Sequence, residues 1–333
     1  MNLIEDILSC SSVSVVGLEK NTGKTESLNW ILSQLNDRGV SVGVTSIGID
    51  GESVDQIYFT HKPEIVLSSG TIFTTSESHY LKRRLDSEVV AMPDIHTSVG
   101  RLVVGRVVGD GKVILSGPPD TASTRDVIGI MQELGAKIVL VDGALGRRST
   151  ASPAVTDGMI MATGAAVSAN LSTLISKTLY VCRQISLPLW KGVEFDENVR
   201  GVRFFDGSTG EISNPEIESA IGLKMLDKKW FERCDTMFVS GAITDGVMER
   251  ISQLTKENFN LVIPDFTRLF VERRVMDRFE SRGGRIYVLR RPRLLAVTVN
   301  PTSPSGYTLD SEQIIKRLTS ELDCKVLDVK SWY

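Results

Sequence analysis

Ser12-Val13-Ser14-Val15-Val16-Gly17-Leu18-Glu19-Lys20-Asn21-Thr22-Gly23-Lys24-Thr25 decides the reading of this chain. Ser12–Val16 is a short β-branched run and reads as a buried strand. Gly17–Gly23 follows as a glycine-bounded loop. From Lys24 to about Asp37 the apolar residues fall at Leu28, Ile31, Leu32 and Leu35, which is helical spacing. Val40-Ser41-Val42-Gly43-Val44-Thr45 then reads as a second strand. Strand, loop, helix, strand is the βαβ opening of a parallel sheet.

A loop in that place suits an anion. Backbone N–H groups can turn inward onto phosphate, a lysine can reach the terminal phosphates, and a hydroxyl can sit on Mg²⁺. Gly23, Lys24 and Thr25 supply the turn, the cation and the hydroxyl, and the helix that starts there adds its positive dipole end. Gly17, Lys20, Asn21, Thr22, Gly23, Lys24, Thr25 and Glu26 are therefore the expected ATP-binding residues. Lys24 is also expected to be catalytic, and Thr25 to hold the metal. The usual Walker A loop has four residues between its glycines. Here there are five, and Leu18 stands where the first glycine usually does. The competing reading is a chance Gly-Lys-Thr between a strand and a helix.

Two acidic positions complete the expected metal site. Asp142 ends the apolar run Lys137-Ile138-Val139-Leu140-Val141, and a carboxylate at a central strand's C-terminal end faces the ligand crevice of an open α/β sheet. It can hold Mg²⁺ directly or through water. Asp50 and Glu52, in Ser46-Ile47-Gly48-Ile49-Asp50-Gly51-Glu52, are the candidates to orient the attacking water, with Asp50 also a metal candidate. The alternatives are a loop or cap residue for Asp142 and an ordinary Asp-Gly turn for the other two.

Outward from this core, residues 60–117 read as a β-rich insertion. It has strands near Gly70–Thr75 and Glu88–Met92, and a hairpin joining Arg101–Val108 to Lys112–Ser116 through Gly109-Asp110-Gly111. Helices are expected from Ser123 or Thr124 to Gly135 and over Asn170–Arg183. The polar, Gly-rich stretch Leu187–Pro215 suggests a boundary, which divides the chain into a nucleotide-binding domain (1–190) and a C-terminal α/β domain (191–333). In the latter, strands are expected at Thr236–Ala242, Leu261–Pro264, Ile286–Leu289, Leu294–Val299 and Val326–Val329. Helices are expected at about 245–257, 267–281 and 310–322. The fold class is α/β: a P-loop NTPase with a mostly parallel sheet, a β-rich insertion and a second α/β region. Thr163-Gly164-Ala165 and Asn300–Gly306 are further candidate crevice loops. Arg290-Arg291-Pro292-Arg293 reads either as an anion site or as a solvated turn.

The whole chain agrees with this. At 333 residues it is long enough for two domains. With 41% hydrophobic residues and a formal charge of -3 it has the mass for a core and no net basic character, which argues against general nucleic-acid binding. Cys10, Cys182, Cys234 and Cys324 are scattered, and His61, His79 and His96 lack metal-ligand spacing, so neither a disulfide framework nor a zinc site is signalled. Met1–Asp6 is acidic where a signal peptide carries positive charge, and no apolar run approaches the ~18 residues of a membrane span. No membrane association is expected, and the expected location is cytoplasmic.

Val16–Thr25, Thr45–Glu52, Gly70-Thr71-Ile72, Val141-Asp142-Gly143-Ala144-Leu145 and Val299-Asn300-Pro301 together resemble the ATPase subunit of lysine 5,6-aminomutase reactivase, over the chain from its N-terminus to about residue 306. The wide loop spacing by itself resembles dethiobiotin synthetases, within the broad class of MinD-type ATPases. The reactivase resemblance implies ATP hydrolysis with Mg²⁺ and a chaperone-like job: loosening an adenosylcobalamin-dependent aminomutase from damaged cobalamin. It also implies a second, MutS-like subunit as partner, and leaves a homodimer open. Two other readings stand beside it. One is an ATP-dependent biosynthetic enzyme of dethiobiotin-synthetase type, and the other is a regulatory nucleotide-binding protein.

Overall fold

A short helix, α1 (Leu3–Leu8), leads into β1 (Ser12–Gly17), whose residues are all buried. The computed structural model describes residues 3–47, 65–144, 155–196, 200–218, 222 and 228–332. After β1 come α2 (Lys24–Asn36) and β2 (Val42–Ser46). The insertion contributes β3 (Val66–Leu67), β4 (Ile72–Ser76), α3 (Glu77–Tyr80), β5 (Arg84–Ala91), β6 (His96–Thr97) and β7 (Gly100–Lys112). Then follow α4 (Thr121–Glu133), β8 (Ile138–Ala144), β9 (Gly158–Gly164) and α5 (Leu171–Ile185).

The chain divides into two units, Met1–Cys182 with Pro292–Tyr333, and Arg183–Arg291. The expected boundary near 190 falls close to the first crossing. The expected single C-terminal domain over 191–333 is corrected: β17 (Arg293–Asn300), α9 (Ser311–Thr319) and β18 (Lys325–Asp328) belong to the first unit. The physical reason is pairing, since β17 runs parallel to β9 on one side and to β18 on the other.

The first unit's sheet has the order β18-β17-β9-β1-β8-β2-β4-β7-β3, parallel from β18 to β4 and then antiparallel at β7, with β5 and β6 also paired to β7. It is a large, mostly parallel mixed sheet, as the α/β reading expects. Its central strands are apolar on both faces because both faces are covered. Ile138 and Leu140 pack with Leu28, Ile31, Leu32 and Leu35 of α2, while Val139 and Val141 pack with Val127, Ile128 and Met131 of α4. That alternation is the two-residue period of a strand. α4 begins where Asp120 accepts the N–H of Ser123, an ordinary N-cap.

The expected hairpin at Gly109-Asp110-Gly111 is not formed. β7 runs unbroken through these residues, and β5 crosses it with register shifts, Asp86 opposite Gly109 and Arg84 opposite Lys112. A Cβ on Gly111 would lie 2.2 Å from the Arg84 carbonyl oxygen. The glycine serves close approach of a neighbouring strand rather than a turn.

The second unit holds β10 (Val202–Asp206), β11 (Glu211–Ser213), α6 (Lys229–Arg233), β12 (Thr236–Val239), β13 (Ile243–Thr244), α7 (Asp245–Leu254), β14 (Asn260–Ile263), β15 (Leu269–Phe270), α8 (Arg273–Ser281) and β16 (Arg285–Val288). Its sheet order is β11-β10-β12-β14-β16, with the last three parallel and β10 antiparallel to its neighbours. The helix expected from 267 starts only at Arg273. Asp265 caps a 3-10 turn over Phe266–Arg268, and Leu269–Phe270 then pairs with β13. Among the described residues, no helix is long and apolar enough to cross a membrane.

Candidate functional site

The Gly17–Thr25 segment joins the buried end of β1 to the first turn of α2, at the C-terminal edge of the parallel strands. The Leu18 N–H donates to the Ala162 carbonyl at 2.9 Å, tying the start of the loop to β9. Inside the loop, the Thr22 hydroxyl donates to the Glu19 carbonyl at 2.9 Å, and Asn21 takes a left-handed φ of 62°. Gly23 precedes the helix with φ 89°, a conformation that penalises any side chain. Its missing Cβ would also stand 3.0 Å from Asn300 Cβ, and one on Gly17 would stand 2.9 Å from the Thr22 hydroxyl. Both glycines thus keep the loop tight against its supports.

α2 is anchored at its start. The Ser27 N–H donates to the Gly23 carbonyl at 3.0 Å, and the Ser27 and Thr298 hydroxyls lie 2.9 Å apart in the core. Asn300, at the end of β17, donates from Nδ2 to the Asn21 carbonyl at 3.4 Å. Sequence reading marked the Asn300–Gly306 stretch but missed this support of the loop from a strand 279 residues away. Beyond Asn300 the chain makes a tight turn, and the Tyr307 hydroxyl donates to the Ala165 carbonyl at 2.6 Å, next to Thr163-Gly164.

Lys24 Nζ lies 2.8 Å from Asp142 Oδ1, with side chains 16% and 3% exposed. Two residues 118 apart in sequence, singled out for different jobs, therefore meet as a nearly buried ion pair. β8 extends slightly past Asp142, and the Asp142 carbonyl accepts the Ile47 N–H at 2.8 Å, which fixes the backbone under the carboxylate. Thr25 and Glu26 are half-buried on the first turn of α2, while Lys20 is exposed in the loop. Glu19, also exposed, lies 3.9 Å from Lys177 Nζ of α5. Asp50 and Glu52 lie outside the described residues.

These residues fit a magnesium ion and a phosphate chain in chemistry. A hydroxyl and a carboxylate are the hard oxygen donors magnesium takes, and the helix start offers a positive dipole end.

A second polar group sits on the same edge, at the ends of β2 and β4. His79 Nδ1 is 2.9 Å from the Ser116 hydroxyl. The Thr74 hydroxyl donates to the Ser116 carbonyl at 2.7 Å and lies 2.6 Å from that of Thr45. Burial holds the His79 imidazole below the usual histidine range, and the nearby Lys82 ammonium adds to this. With strands ~4.8 Å apart, β4 lies three spacings, or about 14 Å, from β1. Sequence reading passed over His79 for want of metal spacing. The available signal was the pair of hydroxyl runs, Thr45-Ser46 and Thr74-Thr75-Ser76, at the ends of two strands.

The basic cluster near 290 resolves into separate supports. Arg290 Nη2 meets Asp265 Oδ2 at 2.9 Å, and Arg291 Nη1 donates to the Ser186 and Leu187 carbonyls. Arg293 Nη2 donates to the Ser9 hydroxyl and the Asp6 carbonyl. Compared with known protein families, curated proteins and solved structures, the chain matches none.

Proposed function

We propose that this chain is a P-loop NTPase that binds ATP with Mg²⁺ at Gly17–Glu26 and hydrolyses it. The observation that carries the reading is the Lys24–Asp142 pair, 2.8 Å apart and nearly buried, at the start of a helix whose loop packs tightly on its supports at Gly17 and Gly23. Exchanging the Asp142 carboxylate for phosphate oxygens is the natural use of such a lysine. The backbone N–H groups of residues 20–25 and the α2 dipole favour the same anion. Thr25 and Asp142 would hold the magnesium, which spreads the charge that develops on the transferred phosphoryl group. Asp50 and Glu52 stay the candidates for orienting the attacking water.

In the service of that hydrolysis, the chain is a cytoplasmic reactivation factor for an adenosylcobalamin-dependent lysine 5,6-aminomutase. It acts with a MutS-like second subunit and promotes release of damaged cobalamin. This part rests on the resemblance of the five segments. Its physical requirement is that ATP-bound and ADP-bound forms differ in affinity for the inactivated mutase, since nucleotide can shift only an equilibrium it binds unequally. The test is mutase activity after inactivation, with ATP, Mg²⁺, fresh adenosylcobalamin and the partner subunit. Recovery should need this chain and fail with Lys24→Ala, and equal recovery without it would end the proposal.

One observation favours a second reading, a biosynthetic enzyme in which ATP phosphorylates a small molecule. The His79–Ser116 group borders the same strand edge about 14 Å from β1 and offers a neutral imidazole to a second substrate. ATP consumption matched by a phosphorylated small-molecule product would favour this reading over the first.

A further inference from the structure

The contact between His79 and Ser116 fixes where the imidazole proton sits. Ser116 is 0% exposed, and its segment is pinned in place: a Cβ on the next residue, Gly117, would fall 1.4 Å from the Ser46 carbonyl oxygen. Among the described residues the Ser116 hydroxyl has one partner, His79 Nδ1 at 2.9 Å. The Ser116 carbonyl is occupied separately by the Thr74 hydroxyl, which in turn meets that of Thr45. If Nδ1 carried the proton and donated, the hydroxyl hydrogen of a fully buried serine would lack an acceptor, which is costly. If the hydroxyl donates instead, both groups are satisfied. The neutral ring then has its lone pair at Nδ1 filled by Ser116 and its proton on Nε2. His79 is half-buried, and Nε2 has no hydrogen-bond partner among the described residues. The ring therefore turns an N–H donor outward and has no free lone pair with which to take a proton or bind a metal.

We infer that Ser116 fixes His79 with its proton on Nε2, and that this N–H binds a carboxylate of a small molecule at the C-terminal ends of β2 and β4. Ligands of open α/β sheets collect at that end of the strands. A carboxylate offers only acceptors, which matches a group that only donates. The Lys82 ammonium, which adds to burial in holding the imidazole neutral, supplies one positive charge. One cation and one neutral donor suit a monoanion. A phosphate dianion would keep an uncompensated charge beside a half-buried ring. The inference deepens the biosynthetic reading, on which the presence of a second small molecule rests: His79 recognises that molecule and does not deprotonate it.

The test is nitrogen-15 NMR of the histidine rings in the full, nucleotide-free chain at about pH 8, above the ordinary histidine range. The chain has 3 histidines, so the signals lost in His79→Phe assign the ring. His79 should show one neutral tautomer, with a bare Nδ1 and a protonated Nε2. A proton on Nδ1, or a mixture of the two forms, would overturn the inference. Acetate is the probe for the second half. It should shift the Nε2 signal saturably, with a Kd on the order of millimolar, and inorganic phosphate should do so more weakly. No saturable shift with acetate, or a tighter one with phosphate, would also overturn it. His79→Gln places an amide N–H near the Nε2 position and lacks the imidazole. Acetate affinity, read by saturation transfer to its methyl group, should stay within about threefold in His79→Gln and fall about tenfold in His79→Phe. Equal affinity in wild type and a folded His79→Phe protein would contradict the assignment. Turnover of ATP to free phosphate alone would count against the biosynthetic reading, a failure the acetate titration does not share.

Discussion

Each of the two units sets parallel strands side by side and brings an acid–base pair to their C-terminal ends, but the pairs are bound into their surroundings differently. In the second unit, Asp265 follows β14 and Arg290 follows β16, 2.9 Å apart. Asp265 is fully buried, and its other oxygen accepts the Thr267 N–H at 2.9 Å, capping the turn that follows. That carboxylate is committed to structure on both oxygens. In the first unit, Lys24 and Asp142 are as close, yet Lys24 stands at the first position of a 13-residue helix, directly after the Gly17–Gly23 loop. A short ion-pair distance therefore does not distinguish a brace from a site. The distinction lies in what else each partner could bind.

The largest expected effect breaks the brace. Asp265→Ala leaves Arg290, 19% exposed, without its carboxylate and removes the cap on Thr267. Loss of one partner of a buried pair costs about 3–5 kcal/mol. Denaturant unfolding should show that loss while nucleotide binding by the first unit is kept, and a change under ~1 kcal/mol would mean the pair behaves like a surface contact.

Lys24→Ala is the matching change on the other side. It should lower ATP hydrolysis by about 100-fold or more, some 3 kcal/mol of transition-state stabilisation, measured below the melting temperature of the variant, which falls because the buried Asp142 loses its ammonium. Wild-type rates in the folded variant would put Lys24 in the same class as Arg290.

Gly111→Ala examines the corrected strand. Its new Cβ meets the Arg84 carbonyl oxygen, so β5 must shift from β7, at a cost of about 1–3 kcal/mol. A turn over Gly109-Asp110-Gly111 would tolerate the change far better, so a neutral result would restore the hairpin.

The smallest effect belongs to His79. Its neutral form is favoured in the folded chain, first by burial and then by Lys82, so its folded value lies below the ordinary 6.5. Its contribution to stability is complete above that pH and is lost as pH falls through the folded value. His79→Gln should remove this part of the acid-side slope in a series of pH melts. An identical slope in the variant would show that protonation of His79 is not felt by the fold.

The β1–α2–β2 opening was legible because two patterns meet there: a short β-branched run at Ser12–Val16, then apolar residues at helical spacing at Leu28, Ile31, Leu32 and Leu35, with glycines marking the change. Asp142 was legible because it closes an apolar run. What stayed hidden is long-range. Asp-Gly in β7 carries a local turn signal, and the approach of β5 that overrides it is tertiary. Leu294–Val299 reads as a strand, but nothing local says that the partner is β9. His79 and Ser116 are 37 residues apart and become neighbours only when β4 and the chain after β7 are placed.

The most direct test of the account is calorimetric titration of the wild-type chain and of Lys24→Ala with MgATP. The account predicts saturable binding at one site per chain, weakened about tenfold or more in the variant by loss of a charge-assisted contact. Absence of saturable binding, or equal affinity in the two proteins, would contradict it.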